Sequence, residues 1–150
     1  MEKVRIIEYQ DKFKDKIKDF IINIVVDEFG FIDWKESYQE IQFDKFKHKK
    51  NNFWIVVNDK EEVIGTLGAE KIKKNDIIEF NCFYVDPNYR KCGIAAELFE
   101  KFMKFANQKQ YKIITLNTHD RFDNAIKFYE KNGFEEYYKD QERISYRKVI

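Results

Sequence analysis

The stretch Val85-Asp86-Pro87-Asn88-Tyr89-Arg90-Lys91-Cys92-Gly93-Ile94-Ala95 decides how this chain is read, because it leaves a strand and enters a helix. Upstream, Ile77 to Val85 reads as a strand. Downstream, Ile94, Ala95, Leu98, Phe99, Phe102, Phe105 and Ala106 recur at helical spacing, with Glu97, Glu100, Lys101 and Lys104 on the other face. That pattern predicts an amphipathic helix over 93–108. The first turn of a helix has N–H groups without intrahelical partners and the positive end of the macrodipole. Gly93 lets the backbone approach a ligand closely, Ala95 keeps the next position small, and Arg90 and Lys91 add positive charge. Together these make a site for a pyrophosphate or similar anion. Taken alone, a Gly-x-Ala is equally the start of an ordinary helix.

Working outward, Val4 and Ile6 begin a first strand. Phe13, Ile17, Phe20, Ile21 and Ile24 then predict a helix opened by Asp11 and fading near Gly30. Residues 27–35 read as a loop with exposed aromatics. A second helix is expected over about 36–48, with Tyr38, Ile41 and Phe46 as one face. Phe53–Val57, Glu62–Lys71 and Ile77–Val85 read as a three-strand meander, turned at Asn58-Asp59-Lys60 and Asn75-Asp76. Ile113–Leu116 reads as a short buried strand. Asn124–Lys131 reads as a helix stopped by Asn132-Gly133. Phe134–Tyr138 and Ile144–Val149 read as a closing strand pair. This order predicts an α/β (α+β) architecture, its sheet mainly antiparallel with one parallel step. No repeat, low-complexity segment or internal linker interrupts it, so residues 1–150 read as one domain.

The 150 residues are 43% hydrophobic and 37% charged, a globular composition that can bury a core. Lys plus Arg number 28 and Asp plus Glu 27, so a net charge of +1 gives no general pull toward nucleic acid or an anionic membrane. Two cysteines and two scattered histidines argue against a disulfide framework or a structural zinc site, and no metal is expected. No run approaches 18 apolar residues and Met1-Glu2-Lys3-Val4-Arg5 does not open a leader, so the expected setting is the cytoplasm, in a bacterium with an AT-rich genome.

Arg90-Lys91-Cys92-Gly93-Ile94-Ala95, with the lead-in Phe83-Tyr84-Val85-Asp86-Pro87, resembles the Arg/Gln-x-x-Gly-x-Gly/Ala acetyl-CoA motif of the GCN5-related N-acetyltransferases (GNAT). Ala125-Ile126-Lys127-Phe128-Tyr129-Glu130-Lys131-Asn132-Gly133-Phe134 is similar to the second signature of that family. The resemblance covers the whole chain. It implies a mixed sheet of about seven strands with about four helices, and transfer of acetyl from acetyl-CoA to an amine without a covalent enzyme intermediate. It further implies that the strand at 77–85 splays from the strand after it, and that the pantetheine arm lies in the gap. Backbone groups of Phe83, Tyr84 and Val85 would face that arm. N–H groups from Lys91, Cys92, Gly93, Ile94, Ala95 and Ala96 would hold the pyrophosphate, with Arg90 either on a phosphate or supporting the loop. Tyr129 is the matched proton donor for the leaving thiolate, or else a core aromatic. Glu79 stands where relatives often carry a glutamate base, and by period two it shares a face with Asn81, Phe83 and Val85. A water chain without a dedicated base is the alternative.

One position departs from the family. Phe122 stands where many relatives place a CoA-contacting asparagine, which leaves Asn124 or Asn117 as substitutes. Phe29, Phe31, Trp34 and Tyr38 lie where the family covers its acceptor, as pocket or as core. His119 reads as a loop histidine near the cleft, Cys82 as core and Cys92 as a filler. The run at 45–50 reads as a solvated helix end. The partners expected are acetyl-CoA and an amine acceptor, in a monomer or homodimer. A noncatalytic acyl-CoA-binding module on the same fold is the rival.

Overall fold

The computed structural model describes residues 3–72 and 76–150; the Asn75 half of the expected Asn75-Asp76 turn, and Met1 and Glu2, lie outside the described residues. Seven strands form one sheet: β1 (Val4–Glu8), β2 (Asn52–Asn58), β3 (Val63–Lys71), β4 (Ile77–Val85), β5 (Ile113–His119), β6 (Glu135–Asp140) and β7 (Arg143–Val149). Their spatial order is β1-β2-β3-β4-β5-β7-β6, and β4–β5 is the parallel step in an otherwise antiparallel sheet. Among the described residues the α-helices are α1 (Lys14–Ile22), α2 (Lys35–Gln39), α3 (Ile94–Gln108) and α4 (Asp123–Lys131).

The helices cover both faces. On one face, Ile94, Leu98, Phe102, Phe105 and Ala106 of α3 repeat every three to four residues and pack with Tyr129 of α4 against Trp54, Leu67, Phe80 and Leu116 of the sheet. On the other, Ile17, Phe20, Ile21 and Ile24 pack on Phe53, Ile55 and Val57. β2 serves both cores, which is why it reads as an unbroken apolar run rather than an alternation.

α1 continues into a π-helical segment, Asn23–Glu28, and Gly30 at φ +76° ends the run where the sequence pattern fades. The expected helix over 36–48 is not one helix. α2 stops at Gln39, and a separate 3₁₀ turn covers Asp44–Lys47. The reason is the aromatic pair Phe43 and Phe46. Both drive into the core beside Phe53, at ring distances of 5.3 and 4.9 Å. An i, i+3 pair on one side suits three residues per turn. Tyr38, Ile41 and Phe46 still share one apolar cluster, as their spacing suggested.

β4 contains an irregularity that changes which side chains face the cleft. Thr66 pairs with Tyr84 but Gly68 pairs with Asn81, so β4 carries one extra residue against β3. This bulge centres on Cys82, whose φ is +50° and whose carbonyl accepts a 2.7 Å hydrogen bond from the Thr66 hydroxyl. The bulge breaks the period-two alternation. Phe83 and Val85 turn to the α3/α4 face with Phe80, while Cys82 and Tyr84 turn to the α1/α2 face. The expectation that Glu79 shares a face with Phe83 and Val85 is therefore corrected: the extra residue reverses the parity after Asn81.

Candidate active site

Among the described residues, β4 and β5 pair only over Ile77–Ile113, Ile78–Ile114 and Glu79–Thr115. Beyond Glu79 the two strands part, and β5 continues on β7 alone. The gap opens into a cleft of about 1780 Å³ that runs from the start of α3 to the loop after α1.

At one end of the cleft is the loop between β4 and α3. Asp86 accepts from the Asn88 N–H at 2.8 Å and Pro87 opens a short 3₁₀ turn, Pro87–Tyr89, so the chain reverses tightly after the strand. Lys91 and Gly93 then adopt positive φ values of +64° and +83°. The α3 ladder begins with the Glu97 N–H on the Gly93 carbonyl, and the N–H groups ahead of it lie outside that ladder. An added Cβ at Gly93 would meet nothing within 4 Å, so this position needs glycine for its backbone angle and not for space.

The guanidinium of Arg90 is held from two sides. Its Nε donates to the Val85 carbonyl at 3.0 Å, and its two terminal nitrogens meet the carboxylate of Glu28 at 2.5 and 2.7 Å. In this arrangement the contacts of Arg90 are with the loop backbone and with Glu28. The Asp86 N–H bonds back to Ile64 on β3. By the alternation of an antiparallel ladder, the backbone groups of Val85 point the other way, into the gap.

Tyr129 lines the cleft from beneath, 5% exposed, with its ring edge-on to Phe80 and Phe134 at 5.8 and 5.7 Å. Burial raises its hydroxyl well above the ordinary tyrosine range, so it stays protonated at neutral pH. Phe128, beside it, packs on Phe83 at 5.3 Å and on Phe99. The two neighbours thus divide the roles of cleft floor and packing.

On the opposite face, the Tyr38 and Tyr84 hydroxyls meet at 2.7 Å, both driven well above their usual range, mainly by burial. Phe122 caps α4 and sits edge-on to Phe29 at 4.6 Å, near Phe31, Trp34 and Tyr84. The residue at the departing position is thus the centre of an aromatic cluster, roofed by the Arg121 guanidinium 4.9 Å over Phe31. His119 packs on Phe31 with tilted rings 4.6 Å apart, accepts from the Arg121 N–H at Nδ1, and lies near Asp120 and Glu142. It fastens the loop after β5. Glu79 and Asn81 face the same side. Cys82 lies beside them, and burial pushes its thiol up to about 12, so it stays protonated.

The structure brings Phe83, Tyr84, Val85, Arg90, Lys91, Gly93, Ile94, Ala95, Ala96, Glu79, Tyr129, Asn117 and Asn124 together around this one cleft. Cys92 lies on the exposed outside of the loop, its thiol 3.6 Å from the Arg90 carbonyl. Asn124 is exposed in the first turn of α4, while the Asn117 side-chain carbonyl accepts from Ser145 at 2.6 Å. In the run at 45–50, Lys45 is paired with Glu70, and Lys47 with Asp11 and Asp44. Glu28 and Asn81 were not singled out from the sequence. Glu28 meets a partner 62 residues away, and Asn81 reaches Glu70 through the β3–β4 register, so no local signal marks them.

A family model described as the acetyltransferase (GNAT) family matches residues 18–134. The chain belongs to the GNAT family. This acetyltransferase-family chain superimposes on a GNAT acetyltransferase from Staphylococcus aureus Mu50 with a TM-score of 0.87 and 25% identity, covering 98% of this chain and 99% of that one. A PaiA N-acetyltransferase from Thermoplasma acidophilum, solved with coenzyme A, shares the fold at a TM-score of 0.81 and 16% identity, with 99% of each chain covered. An N-acetylaspartate synthetase of Xenopus tropicalis is 35% identical, matched over 67% of this chain and 36% of its own length. An uncharacterized N-acetyltransferase of Methanocaldococcus jannaschii is 27% identical, over 63% of this chain and half of its own length. The chain thus spans half or less of these two relatives. No helix among the described residues of the GNAT chain is long and apolar enough to cross a membrane.

Proposed function

We propose that this GNAT chain is an acetyl-CoA-dependent N-acetyltransferase that moves an acetyl group to a primary amine by direct attack in a ternary complex. The observation that carries the reading is the parting of β4 from β5 immediately after Glu79 and Thr115, above Tyr129 and beside the start of α3. The residues present suit the cosubstrate. The N–H groups from Lys91 to Ala96 at the positive end of α3 form a cradle for a pyrophosphate. The gap between the strands exposes strand backbone for an extended, amide-bearing arm.

The chemistry needs three things, and the chain supplies a candidate for each. The Val85 N–H, facing the gap, donates toward the thioester oxygen as it gains charge. The protonated Tyr129 hydroxyl gives its proton to the departing thiolate. Glu79, at the apex of the gap, takes a proton from the ammonium of the acceptor, directly or through water. Cys82 is the cysteine in this cleft, and a thiol pushed up to about 12 has little thiolate at neutral pH. That favours direct attack over an acyl-cysteine route. The aromatic cluster around Phe122 lies on the acceptor side. The name of the frog relative puts aspartate first among acceptors to try, followed by other amino acids, aminoglycosides and peptides with a free N-terminus or lysine.

The test is acetyl-CoA binding by calorimetry, then free-thiol release across that amine panel. Binding with acceptor-dependent release is expected. Binding without release from any amine favours the noncatalytic module, and absence of binding overturns the reading.

A further inference from the structure

Glu79 on β4 and Glu70 on β3 stand directly opposite each other. Like charges at facing positions of an antiparallel pair repel. Asn81 lies between them. Its Nδ2 donates to Glu79 Oε1 at 3.0 Å and to Glu70 Oε1 at 3.1 Å. Lys45 Nζ reaches the same Glu70 oxygen at 3.1 Å. The other end of the amide, Oδ1, is buried and has no hydrogen-bond partner among the described residues. It rests over Gly68, the cross-strand neighbour of Asn81, where an added Cβ would collide with it.

These facts fit together in one way. An unpaired buried carbonyl is unfavourable, and proteins rarely tolerate one without a reason. Turning the amide over would aim Oδ1 at two carboxylates. The amide is therefore oriented by Glu70 and Glu79, and the missing side chain at Gly68 makes room for it. Lys45 offsets one of the two charges and leaves the other to the cleft.

We propose that Asn81 is a positioning residue for Glu79, holding its carboxylate at the apex of the β4–β5 gap against the repulsion of Glu70. The inference rests on the reading of Glu79 as the proton acceptor. Glu79 is the last β4 residue paired to β5, so the direction of its side chain decides whether it faces the acceptor amine.

Crystal structures of the wild type, Asn81→Ala and the double variant Asn81→Ala/Glu70→Gln, each with acetyl-CoA, test it without knowledge of the acceptor. In Asn81→Ala the Glu79 carboxylate is expected to swing away from Glu70. In the double variant, with the repulsion gone, it is expected to return. Turnover with the most active amine of the panel should fall roughly a hundredfold in Asn81→Ala, in line with a misplaced group near the chemistry, and recover in the double variant. Acetyl-CoA affinity should stay unchanged throughout. A Glu79 that keeps its place in Asn81→Ala, or does not return in the double variant, overturns the proposal. Should Asn81→Ala not fold, Asn81→Asp keeps the shape, removes the donor and adds a third carboxylate, so it should displace Glu79 further; an undisplaced Glu79 there is equally fatal. Glu79→Gln is the separate arm. Normal turnover in that variant removes the proton-acceptor role, while the placement of Glu79 by Asn81 is decided by the crystal structures.

Discussion

Arg90 and Glu28 face each other fork to fork, 62 residues apart in the chain, with both terminal guanidinium nitrogens on the two carboxylate oxygens. Arg90 belongs to the loop ahead of α3, and Glu28 ends the π-helical segment that leads toward the aromatic cluster around Phe122. One ion pair thus ties together the two halves of the cleft. Both side chains are about 30% exposed, so water weakens the pair but does not dissolve it.

If Arg90 braces the loop, Glu28→Gln should weaken acetyl-CoA binding about three- to tenfold, from about 1 kcal/mol of lost charge-assisted pairing. Arg90→Lys, opposite the native Glu28, should weaken binding to a similar extent, because an ammonium cannot match the two-oxygen geometry. If Arg90 instead serves a phosphate, releasing it from Glu28 would tighten binding. Calorimetry on Glu28→Gln separates the two by sign.

Tyr129→Phe should lower turnover about ten- to a thousandfold while leaving acetyl-CoA affinity near normal. The ring keeps its packing on Phe80 and Phe134, so thermal stability should hardly change. Unchanged turnover would show that the hydroxyl serves only the cleft floor.

Alkaline pH should destabilise the fold through its buried acids. Burial pushes the Cys82 thiol from 9.0 up to about 12; Lys45 pulls it down, and Glu70 and Glu79 push it up. Below pH 9 both the folded and unfolded states keep this proton. Between pH 9 and about 12 the unfolded chain releases it and the folded chain does not, so stability falls as pH rises. The slope approaches about 1.4 kcal/mol per pH unit for one proton. Tyr38, Tyr84 and Tyr129, raised mainly by burial, add to the loss from about pH 10 upward. Urea midpoints between pH 8 and pH 10 should show the decline, and Cys82→Ala should flatten its first part. In the same pH range a thiol reagent should label exposed Cys92 long before Cys82.

Gly93→Ala and Gly68→Ala should cost stability for different reasons. At Gly93 a Cβ meets nothing, so the cost is the strain of φ +83°, about 1 kcal/mol. At Gly68 a Cβ meets Asn81 Oδ1 and approaches Phe53 and Phe46 at 3.2 and 3.3 Å, so overpacking should cost about 1–3 kcal/mol. Denaturant midpoints measure both. Gly93→Glu should in addition weaken acetyl-CoA binding by bringing a negative charge to the loop.

Elements whose contacts are local were legible. α3 and α4 carry their apolar faces at helical spacing, and the meander β2–β4 is punctuated by its turns. Both signature stretches lie on the elements their residues suggested, 94–108 and 123–131. The region between α1 and β2 was less legible, because Phe43 and Phe46 answer to Phe53 on another element. The face of Glu79 was misread, because a period of two assumes no extra residue, and nothing in Asn81-Cys82-Phe83 announces a cysteine at φ +50°.

The amino-acid sequence by itself determined the strand–helix order, the glycine turn into α3 and the family, since these rest on periodicity, short-range turns and contiguous motifs. Only the tertiary structure decided which face Glu79 presents, that Arg90 grips Glu28, and that Asn81 bridges two facing carboxylates. The first and the last depend on the strand register of β3 and β4, and the Arg90–Glu28 pair on residues 62 apart in the chain. Such contacts exist only once folding has met the entropic cost of bringing those segments together.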